Sequence, residues 1–250
     1  MQTLSYKIIK WIKDYAQISN KKSLVIGISG GVDSGLVSTL CASTDIKTIV
    51  LSMPILQEPS QLERAHNHID WLKNKFDNVE SKEINLTDVF LRFESNFTDQ
   101  NKLSSANTRS RLRMITLYHI ASLNNGLVVG TGNKVEDFGV GFYTKYGDGG
   151  VDISPIADLM KSEVRNLAKE LNLLEEITNA VPTDGLWEDG RSDEDQIGAT
   201  YDELEWAMEN IKTQNKDNLS ERQIKILEIY NNLNKQNQHK MNPIPVFKKD

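Results

Sequence analysis

The stretch LVIGISGGVDS, Leu24–Ser34, joins a short apolar run to a turn that contains two adjacent glycines. An apolar run without alternation is typical of a strand buried on both faces of a parallel sheet. Gly30 and Gly31 let the chain turn tightly and let its backbone approach a ligand closely. A helix is predicted to follow, and its first amides favour an anion. The stretch therefore predicts a phosphate-binding loop at the carboxyl edge of an α/β sheet.

The loop carries a carboxylate of its own, Asp33. It lacks the lysine that follows the glycines in a GxxxxGK[ST] loop. A carboxylate that faces phosphates is repelled unless a cation lies between them, and Mg²⁺ commonly binds through one or two carboxylates together with phosphate oxygens. Taken alone, the loop is also compatible with a glycine turn capped by Ser29 and Asp33 that holds no ligand.

Strand-like and helix-like segments alternate along the first half of the chain. Further apolar runs at Thr48–Met53 and Leu127–Val129 predict two more buried strands. The helical patterns are Met1–Tyr15, Ser34–Ala42, Ser60–Phe76 with a capping box at Ser60–Glu63, and Ser104–Leu123. This alternation predicts an α/β fold, doubly wound, with a mostly parallel sheet and helices on both faces. We expect a single domain over residues 1–250.

The second half begins with a glycine-rich segment. Five of the chain's 15 glycines lie in it, at positions 139, 141, 147, 149 and 150, which predicts a mobile loop. Helices are predicted at 158–172, 192–210 and 220–234, the last with a capping box at Ser220–Gln223, and a polar tail follows from Lys235. The acidic run at 188–195 suits either the start of a helix or a substrate site.

Composition excludes several classes of protein. The chain has 250 residues, a net charge of −6 and one cysteine, Cys41, so it has no internal disulfide and no site of several cysteines. No apolar run approaches the roughly 20 residues of a membrane span. The N-terminal segment interleaves lysines with apolar residues, unlike a signal peptide. We therefore expect a cytoplasmic protein with no membrane and no nucleic-acid partner.

The loop SGGVDS resembles the SGGxDS signature of the ATP pyrophosphatase superfamily, whose members split ATP into AMP and pyrophosphate while they adenylate a substrate. Three further stretches, Asn107–Tyr118, Gly130–Lys161 and Pro182–Asp202, resemble ammonia-dependent NAD synthetases, and TKYGDG at 144–149 is the most discriminating piece. The likeness extends along nearly the whole chain. It implies the adenine nucleotide alpha hydrolase-like form of the predicted fold.

The resemblance implies a ligation in two steps. The nicotinate carboxylate of deamido-NAD attacks the α-phosphate of ATP, which gives an adenylate and pyrophosphate, and ammonia then displaces AMP to form the amide of NAD. A carboxylate oxygen is a poor leaving group, and adenylation makes it a good one. The first step gathers negative charge, so it requires cations and amide dipoles.

The resemblance also implies roles for individual residues. Those expected to bind ATP are Gly27, Ser29, Gly30, Gly31, Val32, Asp33, Ser34, Met53, Thr131, Lys161 and Thr183. Those expected to bind deamido-NAD are Arg111, Tyr118, Lys145, Asp148, Asp152, His239 and Lys240. Lys145 and Asp148 are the expected catalytic residues, in a loop that closes over the adenylate, and Asp33 and Glu136 are expected to hold Mg²⁺. A homodimer is implied, with a surface on the N-terminal helix or on Ser104–Leu123.

Three features depart from the family pattern. The spacing from Glu136 to Lys145 is one residue longer than in many members, Gln196 stands where many members carry glutamate, and Met241 stands where arginine is common.

Three other functions fit these residues less well. A tRNA-modifying sulfurtransferase is disfavoured by the single cysteine and the negative charge. A glutamine-dependent amide synthetase needs a glutaminase unit, for which the chain leaves no room. A nucleotide-binding stress-response module would need neither a second carboxylate nor the TKYGDG loop.

Overall fold

The computed structural model describes residues 3–99, 101–183, 192–211 and 219–249. Its sheet has the strands β1 (Ser23–Gly27), β2 (Lys47–Ser52), β3 (Val79–Glu83) and β4 (Gly126–Val128) in the order β3-β2-β1-β4. Every pairing is parallel. A parallel bridge between Val129 and Ile153 continues the sheet beyond β4.

Helices surround this sheet. They are α1 (Leu4–Ile18), α2 (Val32–Ala42), α3 (Pro59–Lys75), α4 (Thr87–Glu94), α5 (Lys102–Leu123), the π-helix (Val135–Val140), α6 (Lys161–Glu170), α7 (Glu175–Thr178), α8 (Asp193–Ile197), α9 (Tyr201–Asn210) and α10 (Glu221–Met241). None that the structure describes is long and apolar enough to cross a membrane.

Neighbouring residues of β1 belong to different hydrophobic clusters. Leu24 and Ile26 pack into a cluster with residues of α1, α2 and α6, whereas Val25 packs with Phe90 of α4 and Ile120 of α5. Side chains alternate between the faces of a strand, so both faces of the sheet are covered by helices. This confirms the predicted doubly wound α/β fold.

A third cluster lies beyond the end of the sheet. It packs the π-helix against α8, α9 and α10. The positions of α9 and α10 matter for the site, because both helices contact the π-helix.

One strand, β3, and two short α-helices, α4 and α7, were not predicted from the sequence. Strand β3 has the sequence VESKE, with only Val79 buried, so it carries no apolar run. It lies at the edge of the sheet, where charged residues are usual. Helix α4 has only eight residues and buries only Phe90, so too few turns are present for its apolar pattern to mark a helix.

Several predicted boundaries were wrong. Helix α3 begins at Pro59 after Glu58, so Ser60 lies inside the helix and does not cap it. The predicted helix 192–210 is interrupted at Gly198, whose φ of 82° ends α8. Helix α10 continues to Met241, beyond the predicted end at 234, although its capping box at Ser220 is confirmed.

The glycine-rich segment is less irregular than predicted. Gly139 lies within the π-helix, and Gly141 ends it with a left-handed φ of 67°. Turns follow, so the prediction of a plain loop was wrong for its first residues. Elsewhere, the single cysteine is buried in α2, and burial raises the pKa of the Cys41 thiol.

Candidate active site

The phosphate loop is held closed by its own hydroxyl groups. Gly31 is the N-cap of α2 and offers no side chain to the first amides of the helix. The backbone N–H of Ser29 donates to Ser34 Oγ (3.3 Å), and Ser34 Oγ donates to the carbonyl of Gly31 (3.0 Å). The first turn of α2 could therefore bind an anion, because its amides lack an intrahelical partner.

Gly30 is required by both backbone conformation and space. Its φ of 84° lies in the left-handed region, and a Cβ there would stand 2.8 Å from the carbonyl of Gln61 and 3.3 Å from Cβ of Arg64. Helix α3 thus supports the loop from behind. Gly30 does not line the cleft that the rest of the loop faces.

The carboxylates of Asp33 and Glu136 meet at one cation. The ammonium group of Lys161 lies 2.5 Å from Asp33 Oδ2 and 3.1 Å from Glu136 Oε1, and the lysine side chain is only 2% exposed. Burial opposes the charge on this lysine, but the two carboxylates outweigh it and raise the pKa of Lys161. Lys161 is therefore charged at neutral pH.

Two further residues hold these carboxylates, and neither was a predicted site residue. The amide of Asn133, which is fully buried, donates to Asp33 Oδ1 (3.1 Å) and accepts from the backbone N–H of Glu136 (3.2 Å). The hydroxyl of Tyr201 donates to Glu136 Oε1 at 2.5 Å. Both residues lie in stretches that carry the family resemblance, but only their positions in the fold reveal these contacts.

The carboxylates of Asp33 and Glu136 fit a divalent cation that is also bound by phosphate oxygens. Asp33 and Glu136 are each 17% exposed and already converge on a positive charge. Within the described ranges, no group of three or more His, Cys, Asp or Glu could hold a metal ion. A cation at this pair would take its other ligands from phosphate oxygens and water, as Mg²⁺ commonly does.

Helix α5 holds the TKYGDG segment. Asp148 Oδ1 accepts from Ser110 Oγ (2.6 Å) and from the backbone N–H of Thr144 (3.0 Å). The guanidinium of Arg111 donates to the carbonyl of Lys145 through Nε and Nη2, each at 3.3 Å. The two predicted catalytic residues, Lys145 and Asp148, are thus set against the same helix.

The C-terminal end of α10 holds the residues that follow the π-helix. The ammonium of Lys240 donates to the carbonyls of Gly141 and Tyr143, each at 2.8 Å. Lys145 Nζ in turn donates to the carbonyl of His239. Burial lowers the pKa of Lys240. Lys240 therefore positions the glycine-rich segment, a role that its predicted part in substrate binding did not include.

A further acidic residue faces the cleft beside Glu136. The carboxyl of Asp137 approaches Gly132 so closely that a Cβ at Gly132 would overlap it. Burial, followed by the charges of Glu136 and Asp148, raises the pKa of Asp137 to about 8. Asp137 was not a predicted site residue, because the residues adjacent to it in the sequence do not indicate that its carboxyl is buried.

These elements surround one cleft of about 930 Å³. Most of the predicted site residues line it. They are Gly27, Ser29, Gly31, Val32, Asp33, Ser34, Met53, Arg111, Thr131, Glu136, Lys145, Asp148, Lys161, Thr183, His239 and Lys240. Tyr118 and Asp152 do not line it, and instead bond to each other (3.1 Å) while Asp152 also accepts from the backbone N–H of Val128 (2.8 Å).

A parallel α/β sheet with a glycine phosphate loop, and a buried lysine between two carboxylates at its edge, defines a nucleotide-binding protein equipped to neutralise phosphate charge. A family model described as NAD synthase matches residues 4–244, and the chain belongs to this family. The chain is therefore a ligase, and its family's reaction is the ATP-dependent amidation of deamido-NAD by ammonia. That reaction proceeds through an adenylate and releases AMP and pyrophosphate.

Known relatives agree with this assignment. The chain is 38% identical over 212 residues to an NH(3)-dependent NAD(+) synthetase of Finegoldia magna, covering 84% of this chain and 86% of that one. The structure of an NMN synthetase from Francisella tularensis has a TM-score of 0.88 at 30% identity, covering 98% and 97%. An NH3-dependent NAD synthetase from Campylobacter jejuni, in complex with nitrate, has a TM-score of 0.79 at 28% identity, covering 98% and 97%.

Proposed function

We propose that the cleft between the phosphate loop, α5 and α10 is where the chain adenylates deamido-NAD and then amidates it. The convergence of Asp33, Lys161 and Glu136 beside the first turn of α2 supports this proposal most directly. It combines an amide anion site, a buried cation and two carboxylates suited to Mg²⁺.

In the first step, an oxygen of the nicotinate carboxylate bonds to the α-phosphorus of ATP, and the bond from that phosphorus to the bridging oxygen of pyrophosphate breaks. The amides of the loop bind phosphate oxygens, together with Thr131 and Thr183. Asp33 and Glu136 would hold Mg²⁺, which would neutralise phosphate charge. Lys161, charged and already in the cleft, supports the negative charge that develops on the phosphates.

In the second step, the nitrogen of ammonia bonds to the carbonyl carbon and releases one proton, and the bond from that carbon to the oxygen of AMP breaks. Asp148 accepts its protein hydrogen bonds through Oδ1, and Oδ2 makes none within the residues that the structure describes. We propose that Oδ2 orients ammonia. We propose that Lys145, which also lines the cleft, supports the negative charge on the carbonyl oxygen. The segment 139–150, held by α5 and α10, excludes water that would hydrolyse the adenylate.

A second candidate substrate is nicotinate mononucleotide. The highest TM-score among the structures named above belongs to the NMN synthetase of Francisella tularensis, and the likeness covers nearly the whole of both chains. A mononucleotide would undergo the same chemistry at its carboxylate. It would not extend to Tyr118 and Asp152, which lie outside the cleft.

We also propose a homodimer. Helices α4 and α5 expose large apolar side chains, among them Phe93 (44%), Leu103 (60%) and Ile115 (58%), and α1 exposes Trp11 (45%). Apolar area of this kind is typical of an interaction surface. Sedimentation should give twice the chain mass of 28.3 kDa, and Ile115→Asp or Trp11→Asp should return the monomer, according to which face is used. A stable monomer with full activity would refute the dimer.

The remaining expectations are part of the same proposal. The chain acts in the cytoplasm as one catalytic domain, with ammonia as its nitrogen donor. The curated relatives that it matches are named for NH(3) dependence, which supports the nitrogen donor.

The test is a product balance. The purified protein is mixed with ATP, MgCl₂, ammonium and either deamido-NAD or nicotinate mononucleotide, and amide, AMP and pyrophosphate are quantified. A parallel reaction replaces ammonium with glutamine. We expect equal amounts of NAD and AMP in the reaction with ammonium, and no NAD in the reaction with glutamine. A larger kcat/KM for the mononucleotide would favour the second candidate, and formation of ADP would refute the adenylation.

A further inference from the structure

Tyr201 lies beside the carboxylate pair, in a stretch that carries the family resemblance, but it was not among the predicted site residues. It is the first residue of α9 and is fully buried. Its hydroxyl lies 2.5 Å from Glu136 Oε1 and 3.3 Å from Asp193 Oδ2. One hydroxyl hydrogen serves two acceptors, and the shorter distance assigns it to Glu136.

The two oxygens of Glu136 are consequently unequal. Oε1 accepts from Tyr201 and from Lys161, whereas Oε2 has no hydrogen bond within the described ranges. A carboxylate with one oxygen held by the protein presents the other in a defined direction. Residues that hold a metal ligand in this way orient it and tune its affinity.

Helix α9 also holds Lys161. The Lys161 ammonium lies 4.6 Å from the centre of the Tyr201 ring, within the range of a cation–π contact. The backbone N–H (2.8 Å) and the hydroxyl (2.7 Å) of Ser162 both donate to the carboxylate of Glu205 in α9. Helix α9 is therefore joined to the first turn of α6. The backbone N–H of Tyr201 itself donates to Glu194 (2.9 Å).

We propose that Tyr201 is a positioning residue, which holds Glu136 Oε1 so that Oε2 is available to the divalent cation that accompanies ATP. This inference rests on the proposed function, because it takes Glu136 to be a ligand of that cation. Tyr201 does not line the cleft, so it acts through Glu136.

Tyr201→Phe tests the inference, because it keeps the ring and removes only the hydroxyl. Tyr230→Phe is the matched control. Tyr230 packs in the same cluster and is 5% exposed, and its hydroxyl has no hydrogen bond in the part of the chain that the structure describes. Mn²⁺ binding is measured by electron paramagnetic resonance with a non-hydrolysable ATP analogue present. Binding of the analogue without metal is measured by calorimetry, and the thermal midpoint shows whether each variant is folded.

We expect Tyr201→Phe to weaken Mn²⁺ binding about 10-fold, as loss of such a partner commonly does. Metal-free binding of the analogue should stay unchanged, and the KM for Mg²⁺ should rise while kcat recovers at saturating Mg²⁺. Tyr230→Phe should leave all of these unchanged. Equal Mn²⁺ affinity in Tyr201→Phe and in the wild type would overturn the positioning role alone. Failure of the wild type to bind Mn²⁺ with the analogue would overturn the metal assignment as well.

Discussion

Replacing Lys161 with methionine removes the one positive charge that the structure shows between Asp33 and Glu136. The methionine keeps an apolar stem of similar length, so packing in the buried position is largely retained. The two carboxylates, each 17% exposed, are left without their cation. We expect the variant to fold less stably and to recover part of the loss with magnesium.

The magnitude follows from burial. Lys161 is 2% exposed, so its ion pairs are not screened by solvent. Removal of one partner of a buried ion pair costs about 3–5 kcal/mol, because the remaining charge is buried without compensation. The pKa of Lys161 is raised above its ordinary value of 10.5, so this stability is fully present at neutral pH and is lost only as the pH rises through the folded value.

Urea unfolding of Lys161→Met at neutral pH, with and without saturating MgCl₂, measures the effect. Lys134→Met is the control, since Lys134 pairs with Asp158 at the surface and should cost less than about 1 kcal/mol. If Asp33 and Glu136 bind Mg²⁺, the ion stabilises the folded variant and restores part of the loss. A loss no larger than that of the control would refute the reasoning on the buried ion pair, and an unchanged loss with MgCl₂ would refute the metal pair.

Three further predictions concern the loop, a buried histidine and the far side of the site. Gly30→Ala should cost about 2–4 kcal/mol of unfolding free energy, from its left-handed φ of 84° and overlap with α3, and should weaken ATP binding measured by calorimetry. Burial lowers the pKa of His68 from 6.5 to about 4. The unfolding free energy should therefore decrease by about 1.4 kcal/mol for each pH unit as the pH falls from 6.5 to about 4. His68→Gln should remove this slope in urea titrations. Tyr118→Phe should raise the KM for deamido-NAD about threefold to tenfold in initial-rate kinetics and leave that for nicotinate mononucleotide unchanged.

Each of these has a control or a contrary outcome. Gly198 has nearly the same φ, 82°, but the nearest atom to its Cβ would be 3.9 Å away, so Gly198→Ala should cost only the backbone strain of about 1–2 kcal/mol. Equal costs at Gly30 and Gly198 would contradict the packing argument. Parallel pH curves for wild type and His68→Gln would contradict the assignment to His68. If Tyr118→Phe raised the KM for deamido-NAD and for nicotinate mononucleotide equally, Tyr118 would not lie beyond the reach of the mononucleotide.

The sequence predicted those parts of the site that are formed by residues close together in the chain. Asp33 lies in a loop whose glycines, hydroxyl groups and following helix are contiguous, so the anion site could be read from adjacent residues. The resemblance implied that Asp33 and Glu136 act together, and this pairing is geometrically reasonable because Glu136 follows a strand whose carboxyl end shares one edge of the sheet with the loop. Their convergence on Lys161 confirms that proximity.

Local patterns failed where the surroundings decide the outcome. Strand β3 carries polar residues because it lies at the edge of the sheet. Its pairing with β2 makes it a strand, although its own sequence has no apolar run. Lys240 was predicted to lie in a polar tail, but α10 extends through it to Met241 and brings its ammonium to the carbonyls of Gly141 and Tyr143. A helix that continues through polar residues is stabilised by such tertiary contacts.

The sequence by itself determined the fold class, the phosphate loop and the family, since apolar runs, paired glycines and contiguous motifs act over a few residues. Only the tertiary structure decided how Asn133 and Tyr201 hold the carboxylates, and that Tyr118 and Asp152 lie outside the cleft. The hydroxyl of Tyr201 and the carboxylate of Glu136 are 65 residues apart in the chain. A hydrogen bond depends on distance and angle within a few tenths of an ångström, and that placement arises only when α9 packs against the π-helix and α6.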